Sequence, residues 1–362
     1  MLKALDLVKS AEVLADEALR LLLGKIPAIQ IQDIERNTAN GHGEPDLVVR
    51  LLVEGQLHLL ICDYKPNGQP RYARSALLEL NDYAMRRTPH ATPTILVFMA
   101  PYISPAVRQL CVEKNVGYLD LAGNARIAFG GVYIERAVAE KPASEQRALK
   151  SLFKPKSARV LRAMLRDPYR AWRVTELATV SGVSVGHVSN VRSGLIDREW
   201  ACASAAGLFL SQPDALLDAW RDSYAAPAGE RMRFYTPLHG AALENAVSGS
   251  LGAHGGPGQT ALASFSAAQW LAPYARVGAH YFFVDREGLQ KLRDALKIEP
   301  SAKGENVVVT VPKDAELLID TVEPAPGVIC TSPIQTYLDL SIAGDRGMEA
   351  AEHLRREKLT WT

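Results

Sequence analysis

Two kinds of hydrophobic pattern alternate along the first 140 residues, and this alternation constrains the fold more than any other feature of the sequence. Residues 4–23 and 71–87 repeat apolar side chains at helical spacing. Residues 46–53 and 57–65 are instead short apolar runs on either side of Gly55, a pattern that predicts a β-hairpin. Because helices and strands alternate, this segment is expected to be an α/β or α+β domain with a mixed sheet.

The remaining elements of this segment are predicted from the same two patterns. Residues 93–100 form a continuous apolar run that is typical of a buried strand. A helix is expected to follow at residues 104–115, with Ser104 as its N-cap. Residues 116–135 predict further strands, whereas residues 31–46 show neither period and are expected to be irregular.

Length and linker composition predict three domains. A single hydrophobic core rarely grows beyond ~250–300 residues, and this chain has 362. Residues 141–157 contain two prolines and five Lys or Arg, and residues 225–230 are small and contain Pro and Gly. Boundaries at these linkers divide the chain into domains at residues 1–150, 151–225 and 226–362.

Composition and cysteine spacing exclude several classes of protein. With 48% hydrophobic and 22% charged residues, the chain has an ordinary globular composition and not that of a disordered protein. No apolar run approaches the ~20 residues of a membrane span. The four cysteines occur in no metal-binding spacing, which argues against a zinc site and fits a reducing compartment. We therefore expect a cytoplasmic protein with no membrane segment.

The middle domain carries the local positive charge of the chain. Residues 151–200 contain nine Lys and Arg against four Asp and Glu, in a chain with a net charge of +1. A helix capped by Ser157 is expected to precede a helix-turn-helix, in which Gly182 takes the left-handed conformation of the turn. Ser184 is expected to cap the third helix, residues 185–195, and a short hairpin follows it. This arrangement predicts a winged helix-turn-helix domain.

The third helix of this domain has an apolar face and a polar face. The apolar face consists of Val185, Val188, Val191 and Leu195. The polar face carries small side chains and an arginine, which suit a helix that reads the major groove of double-stranded DNA. Basic residues at the first helix are expected to contact phosphates and are included with those of the third helix. The predicted DNA-binding residues are Lys154, Lys156, Arg159, Ser184, His187, Ser189, Asn190 and Arg192. The alternative is a three-helix unit that serves only packing or dimerisation.

Two aspartates and a lysine lie at the ends of the predicted hairpin strands. Asp46 opens the first strand after Pro45, and Asp63 and Lys65 close the second. Residues two apart in a strand point to the same face, and hairpin pairing brings Asp46 beside them. Asp46 and Asp63 are therefore candidate ligands of Mg²⁺, and Lys65 would orient or stabilise a hydroxide that attacks a phosphodiester. Because two close carboxylates repel, one of them should hold its proton more tightly than usual.

Two questions about this cluster stay open in the sequence. Glu12 or Glu17 of the first helix would supply a third acidic ligand, and nothing chooses between them. The alternative to a metal site is that Asp46 is a turn or cap residue and that Asp63 and Lys65 form a solvated pair at a strand end.

The residues Pro45, Asp46, Asp63 and Lys65, in their hairpin context, resemble the motif of the PD-(D/E)xK nuclease superfamily over about residues 1–140. The resemblance implies a restriction-endonuclease-like mixed sheet in which Asp46, Asp63 and Lys65 are catalytic. Folds of this kind also serve as binding scaffolds without catalysis. Both an Mg²⁺-dependent endonuclease and a domain that adds phosphate contacts or a dimer surface therefore remain open.

The C-terminal domain offers no chemical signature of its own. Residues 226–362 contain no phosphate loop, no Ser/His/Asp arrangement and no metal-ligand spacing. Gln335, Asp339 and Arg346 stand among apolar neighbours, and hydrogen-bonded structural roles are expected for them. Strand-like and helix-like runs alternate, which predicts an α+β domain.

Three phrases resemble the AbiEi-type family of bacterial transcriptional regulators, which are antitoxins of type IV toxin–antitoxin systems. They are GYLDLAGNARIAF, the central helix-turn-helix, and SPIQTYLDL with RGMEAAEHL. The resemblance implies a regulator that binds its own operator DNA through the winged helix and opposes a nucleotidyltransferase toxin through residues 226–362. Members of the family often begin with the helix-turn-helix, whereas here a nuclease-like domain precedes it.

The sequence thus predicts a DNA-binding transcriptional regulator. No cofactor is expected to be required for DNA binding. A homodimer is one assembly to test. The first alternative is an Mg²⁺-dependent DNA endonuclease that uses Asp46, Asp63 and Lys65. The second is an antitoxin that binds its protein partner and has little DNA role.

Overall fold

The structure, a computed structural model, describes residues 2–37, 44–87, 92–250, 258–274, 278–301 and 303–361. These residues form two compact units, residues 1–150 with 192–201 and residues 151–191 with 202–362. Each unit combines helices with a mixed seven-stranded sheet, so the described chain is of the α+β class. None of the helices in these ranges has the length and apolar character that a membrane crossing requires.

The first unit is built on a sheet whose strands follow one another in chain order. Its elements are α1 Leu2–Leu23, β1 Ile29–Arg36, β2 Leu47–Val53, β3 Gln56–Tyr64, α2 Pro70–Arg87, β4 Thr94–Ala100, α3 Pro105–Glu113, β5 Gly117–Asp120, β6 Ala125–Phe129, β7 Val132–Arg136 and α4 Ala143–Leu152. The pairs β3–β4 and β4–β5 are parallel, and the other neighbours are antiparallel. Each parallel pair is joined through a helix, α2 or α3, as such a crossover requires.

The two faces of this sheet carry separate hydrophobic cores, because successive strand side chains point to opposite faces. On one face, Leu19 of α1 packs in a core with Cys62 of β3. On the other face, α2 and α3 cover Ile61 of the same strand. Strand β3 is therefore buried on both faces. Asp63 and Lys65 share the face of Ile61, so they lie on the side of α2.

Most elements predicted for the first unit are confirmed. The hairpin is formed by β2 and β3 around Gly55, which has a φ of 84°. Ser104 caps α3, and its hydroxyl accepts a hydrogen bond from the backbone N–H of Val107. The predicted strand at residues 93–100 and helix at residues 71–87 correspond to β4 and α2.

Strand β1 was not predicted, because residues 31–46 were expected to be irregular. It pairs with β2 along its length, with a register shift between Ile31 and Asp33. The shift breaks the two-residue alternation, and most side chains of the strand are not buried, so the strand pattern is hidden in the sequence. Residues 38–43 of the predicted irregular run lie outside the described residues.

Between residues 155 and 222 the chain forms four helices and a short hairpin. The elements are α5 Pro155–Arg166, α6 Val174–Ser181, α7 Val185–Asp197, β8 Ala201–Ala203, β9 Leu208–Leu210 and α8 Pro213–Asp222. Gly182 ends α6 in the left-handed conformation, with a φ of 63°, as predicted for the turn. Ser184 caps α7 as predicted, since its hydroxyl accepts a hydrogen bond from the backbone N–H of His187.

Ser157 does not cap α5, contrary to the prediction. The helix begins two residues earlier at Pro155, with Lys154 as the N-cap residue. Proline suits this first position because its fixed φ is already helical and its missing N–H needs no partner. Ser157 is instead buried inside the helix, and its hydroxyl donates a hydrogen bond to the carbonyl of Ser151.

The second unit is completed by a mixed sheet and its helices. The elements are β10 Gly229–Tyr235, α9 Gly240–Ser250, β11 Thr260–Leu262, α10 Ser264–Leu271, β12 His280–Val284, α11 Arg286–Leu296, β13 Glu299–Pro300, β14 Val307–Pro312, a 3-10 turn at Ala315–Leu318, β15 Thr321–Ala325, β16 Val328–Thr331, α12 Pro333–Ser341 and α13 Asp345–Lys358. The strand order is β13-β10-β14-β12-β11-β16-β15. The α+β architecture expected for this part of the chain is confirmed.

A buried arginine connects α5 to the C-terminal part of the second unit. Nε of Arg162 lies 2.9 Å from Oδ2 of Asp320, and the Arg162 side chain is only 5% exposed. Its Nη1 donates to Oε1 of Gln335 at 3.3 Å. Gln335 in turn donates to the Tyr224 hydroxyl and to Asp339, whose pKa burial raises to about 6. Gln335 and Asp339 therefore have the hydrogen-bonded structural roles expected of them.

Replacing Arg162 should destabilise the second unit far more than replacing Arg166, which pairs with the same aspartate. Arg162→Ala would leave Asp320 without its buried partner, at a cost of about 3–5 kcal/mol in the free energy of unfolding. Arg166 is 49% exposed, so Arg166→Ala should cost about 1 kcal/mol or less. Urea unfolding of the two variants, followed by circular dichroism, measures the difference. Equal losses in the two variants would contradict a structural role for the buried pair.

Candidate functional sites

Asp46, Asp63 and Lys65 come together at one end of the β2–β3 hairpin, as predicted. Leu47 pairs with Cys62, so the residue before β2 lies beside the residue that follows Cys62. Leu47 belongs to the core on the α1 face, which puts Asp46 on the opposite face with Asp63. The hairpin register thus assembles two carboxylates and an ammonium on the α2 side of the sheet.

The contacts within this acidic cluster are short and specific. Nζ of Lys65 lies 2.9 Å from Oδ2 of Asp63 and 3.0 Å from Oε2 of Glu79 on α2. Oδ2 of Asp46 accepts a hydrogen bond from the backbone N–H of Tyr64 at 2.5 Å. The Asp63 side chain is 5% exposed and that of Lys65 is 26% exposed. The alternative of a solvated Asp63–Lys65 pair is therefore wrong, whereas Asp46 does bind the backbone as a cap residue would.

The electrostatics of the cluster follow from its burial. Burial raises the pKa of Asp63 to about 7; Lys65 lowers it, and the neighbouring Asp46 raises it further. The pKa of one carboxyl is raised, as predicted, but burial contributes more to this rise than repulsion between the two carboxylates does. Burial lowers the pKa of Lys65, yet its contacts with Asp63 and Glu79 outweigh this and leave that pKa raised. Lys65 is therefore an ammonium at neutral pH and not a general base.

Glu79 is a member of the cluster that sequence analysis missed. It reaches Lys65 from α2 and also accepts a hydrogen bond from Ser75, one helical turn earlier. No pattern in the sequence pointed to Glu79, because its contact with Lys65 depends on how α2 packs against β3. The charge of Glu12 on α1 acts instead on Tyr64. The pKa of Tyr64 is raised to about 12, first by burial and then by the Glu12 carboxylate. Tyr64 belongs to the core on the α1 face, opposite Asp63.

The donor set of the cluster suits Mg²⁺ only in part. Asp46 and Asp63 offer carboxylate oxygens, and Mg²⁺ in proteins is commonly held by one or two carboxylates, with waters and substrate phosphates completing its shell. Across the described residues, no group of three His, Cys, Asp or Glu side chains is arranged to hold a metal ion. The two aspartates are thus the residues that would hold Mg²⁺ if it binds, where it would polarise a phosphate.

Helix α7 presents the polar surface predicted to contact DNA. Val188, Val191 and Leu195 are buried beneath it. Val185 was expected on the same apolar face but is 48% exposed, because it lies in the first turn of the helix. Asn190 is exposed on the opposite side, along with Ser184, Gly186 and Ser189, and Arg192 is half-buried.

His187 packs against α5 and is only half-buried. Its Nε2 lies 3.1 Å from the hydroxyl of Ser157. The same hydroxyl donates a hydrogen bond to the carbonyl of Ser151 at 3.0 Å. His187, one of the predicted DNA contacts, thus forms a side-chain hydrogen bond with Ser157 that joins α7 to α5.

The basic side chains of α5 fall into two groups. Lys154 and Lys156 are exposed at the start of the helix. Arg159 is 19% exposed, and its Nη2 lies 2.7 Å from Oδ1 of Asp314. Much of the local positive charge that suggested phosphate binding is therefore balanced by acids within the second unit.

Comparison with known proteins gives little guidance. No protein-family model matches the chain, and no curated protein matches it either. A solved structure of EndoMS in its apo form is similar over 30% of this chain and 45% of that chain, with 11% sequence identity and a TM-score of 0.22. The chain thus covers less than half of that protein, and a likeness of this degree carries no argument about fold or function.

The raised pKa of Asp63 makes a prediction about pH. The folded protein holds this proton up to about pH 7, whereas an unfolded chain loses it near pH 4. The native state binds the extra proton between those values, so stability falls as pH rises, by at most about 1.4 kcal/mol per pH unit. Asp63→Asn should flatten this part of the profile and be more stable than the wild type at pH 8.

Thermal melting between pH 4 and 8 tests this, with Asp82→Asn, an exposed aspartate of α2, as the matched control. Parallel profiles for the wild type and Asp63→Asn would show that Asp63 titrates normally.

Proposed function

We propose that the protein binds double-stranded DNA through a winged helix-turn-helix in which α7 enters the major groove. The observation that supports this most is the division of α7 into two faces. Val188, Val191 and Leu195 are buried, while Asn190 and the small residues around it are exposed. Asn and Arg side chains can form paired hydrogen bonds with base edges, and small residues let the backbone approach phosphate. The left-handed turn at Gly182 and the β8–β9 hairpin flank this helix as a winged helix requires.

We further propose that this binding regulates transcription. The AbiEi resemblance supports an antitoxin of a type IV system that acts on its own operator in the cytoplasm. Its protein partner would be a nucleotidyltransferase toxin bound by the C-terminal α+β part. A homodimer would place two copies of α7 on two half-sites, which is how symmetric regulators double their contacts.

Substitutions on α7 should separate base reading from phosphate binding. Asn190→Ala or Arg192→Ala should cost about 1–3 kcal/mol at the cognate site, because each removes a base contact, and should leave folding intact. Lys154→Ala should weaken binding to all sequences alike and reduce its salt dependence. Arg159→Ala should affect DNA binding less than Lys154→Ala, since Arg159 is engaged with Asp314. Fluorescence anisotropy with fragments selected from genomic DNA measures each effect.

The matched controls are Asn245→Ala and Arg286→Ala, exposed residues of α9 and α11. Loss of cognate affinity in the controls as large as in the α7 variants would contradict a specific role for α7. If the wild-type protein binds none of the selected fragments, the DNA-binding proposal itself is overturned.

A second candidate function is a DNA endonuclease that depends on Mg²⁺, with residues 1–140 as a PD-(D/E)xK nuclease domain. The specific observation that favours it is the convergence of Asp46, Asp63 and Lys65 on one face of the hairpin end. In this function, Asp46 and Asp63 hold the ion, which supplies charge for the phosphate. Lys65, held as an ammonium, stabilises negative charge that develops on the phosphodiester. The same cluster without activity would be a scaffold that adds phosphate contacts.

A metal titration distinguishes the metal site from the scaffold. Mg²⁺ that binds the native state raises its melting temperature, by an amount that grows with the logarithm of concentration above the dissociation constant. Asp63→Asn should abolish this shift, while Asp82→Asn should retain it. Lys65→Ala should keep the shift but remove any cleavage of plasmid DNA. Melting-temperature shifts on adding millimolar Mg²⁺ or Mn²⁺ that are absent or equal in the four proteins would rule out the metal site.

A further inference from the structure

The second unit contains a cleft of about 520 Å³ between α9 and α10 that neither the DNA-binding proposal nor the acidic cluster involves. Its base is one face of the second sheet. Leu262 of β11 pairs with Cys330 of β16 and with Phe282 of β12. His280 and Val328 are each two residues from these partners, so they share the face of Leu262. The cleft is thus built on regular elements and falls within the ~300–1,000 Å³ that is typical of small-molecule sites.

The interior of the cleft is apolar and its rim is aromatic. Leu243 and Val247 of α9 line it from one side, above Leu262 and Val328. Each of these four side chains is less than a tenth exposed. At the rim, the rings of Trp270 and Tyr274 are 47% and 50% exposed. Half-exposed rings beside an apolar floor provide flat surfaces for a planar ligand to stack on.

The charges around the cleft are one-sided. Glu244 of α9 is an exposed acid among the lining residues. Neither α9 nor α10 contains a lysine or arginine, and the described lining residues include none. Burial lowers the pKa of His280, so its imidazole is neutral at pH 7. Among the described lining residues, a phosphate or carboxylate ligand would find no cation, whereas an ammonium group would meet the Glu244 carboxylate beside the Trp270 and Tyr274 side chains.

We propose that this cleft binds a small planar aromatic molecule that is neutral or carries a single positive charge. The ring system would lie between the Trp270 side chain and the floor formed by Val247 and Leu262. A cationic amine on that ring system would point to Glu244 at the rim. This assignment is independent of DNA binding and of the acidic cluster in the first unit.

Three naphthalene probes with the same ring and different charge test the proposal on the full-length protein. 1-Naphthylmethylamine is a cation at pH 7, 1-naphthalenemethanol is neutral and 1-naphthalenesulfonate is an anion. Isothermal titration calorimetry should show the amine binding about two- to fivefold more tightly than the alcohol, the range for an exposed ion pair. The sulfonate should bind most weakly. Equal or tighter binding of the sulfonate would overturn the proposal, as would the absence of binding by the amine and alcohol at millimolar concentrations.

Variants place the probes in the cleft. Glu244→Gln should remove the preference for the amine and leave the alcohol unchanged, whereas Glu287→Gln, an exposed acid of α11, should alter neither. Trp270→Ala should weaken both probes by about two- to tenfold, because it removes a stacking surface. Tyr235→Ala, which removes a ring of similar exposure on β10, is its control. Both aromatic positions are half-exposed, so folding is retained. Probe affinities that Trp270→Ala leaves unchanged would overturn the assignment of the site.

Discussion

The acidic cluster depends on one constraint, the burial of β3 on both faces. The strand is covered by α1 on one side and by α2 and α3 on the other, with β2 and β4 as its neighbours. The Asp63 side chain at the end of this strand is only 5% exposed. Its charge must be balanced by groups fixed in the same structure. Lys65 balances the charge of ionised Asp63, and burial favours the protonated carboxyl up to about pH 7. The chemistry available at this end of the sheet is therefore set by packing.

In the second unit, ion pairs engage part of the positive charge that made the middle segment look basic. Arg159 and Arg162 pair with Asp314 and Asp320 within the unit. An amphipathic helix that is rich in arginine can therefore serve two purposes that sequence does not distinguish: attraction to a polyanion, or attachment to an acidic surface of the same protein. Here α5 does the second with its interior-facing arginines. The lysines at its N-terminus and Arg166 at its C-terminal end remain exposed to solvent. Under the DNA-binding proposal, specific recognition would rest on α7.

The sequence could predict what local patterns determine. The hairpin, the Ser104 and Ser184 caps, the left-handed Gly182 and the convergence of Asp46 with Asp63 all depend on residues close in sequence or on the two-residue period of a strand. What could not be predicted depends on tertiary partners. Glu79 joins Lys65 because of how α2 crosses the strand end, and Asp320 reaches Arg162 from 158 residues away in sequence. Periodicity contains no information about such pairs.

Strand β1 lies at the edge of the first sheet, where a row of backbone N–H and C=O groups is open to another chain. Its register shift between Ile31 and Asp33 disturbs the regular spacing of those groups, and Glu35 and Arg36 add charge along the strand. An irregular, charged edge is a poor template for an extra strand from a neighbouring molecule. The irregularity that hides β1 from pattern analysis thus also makes this edge less suited to pairing with an extra strand.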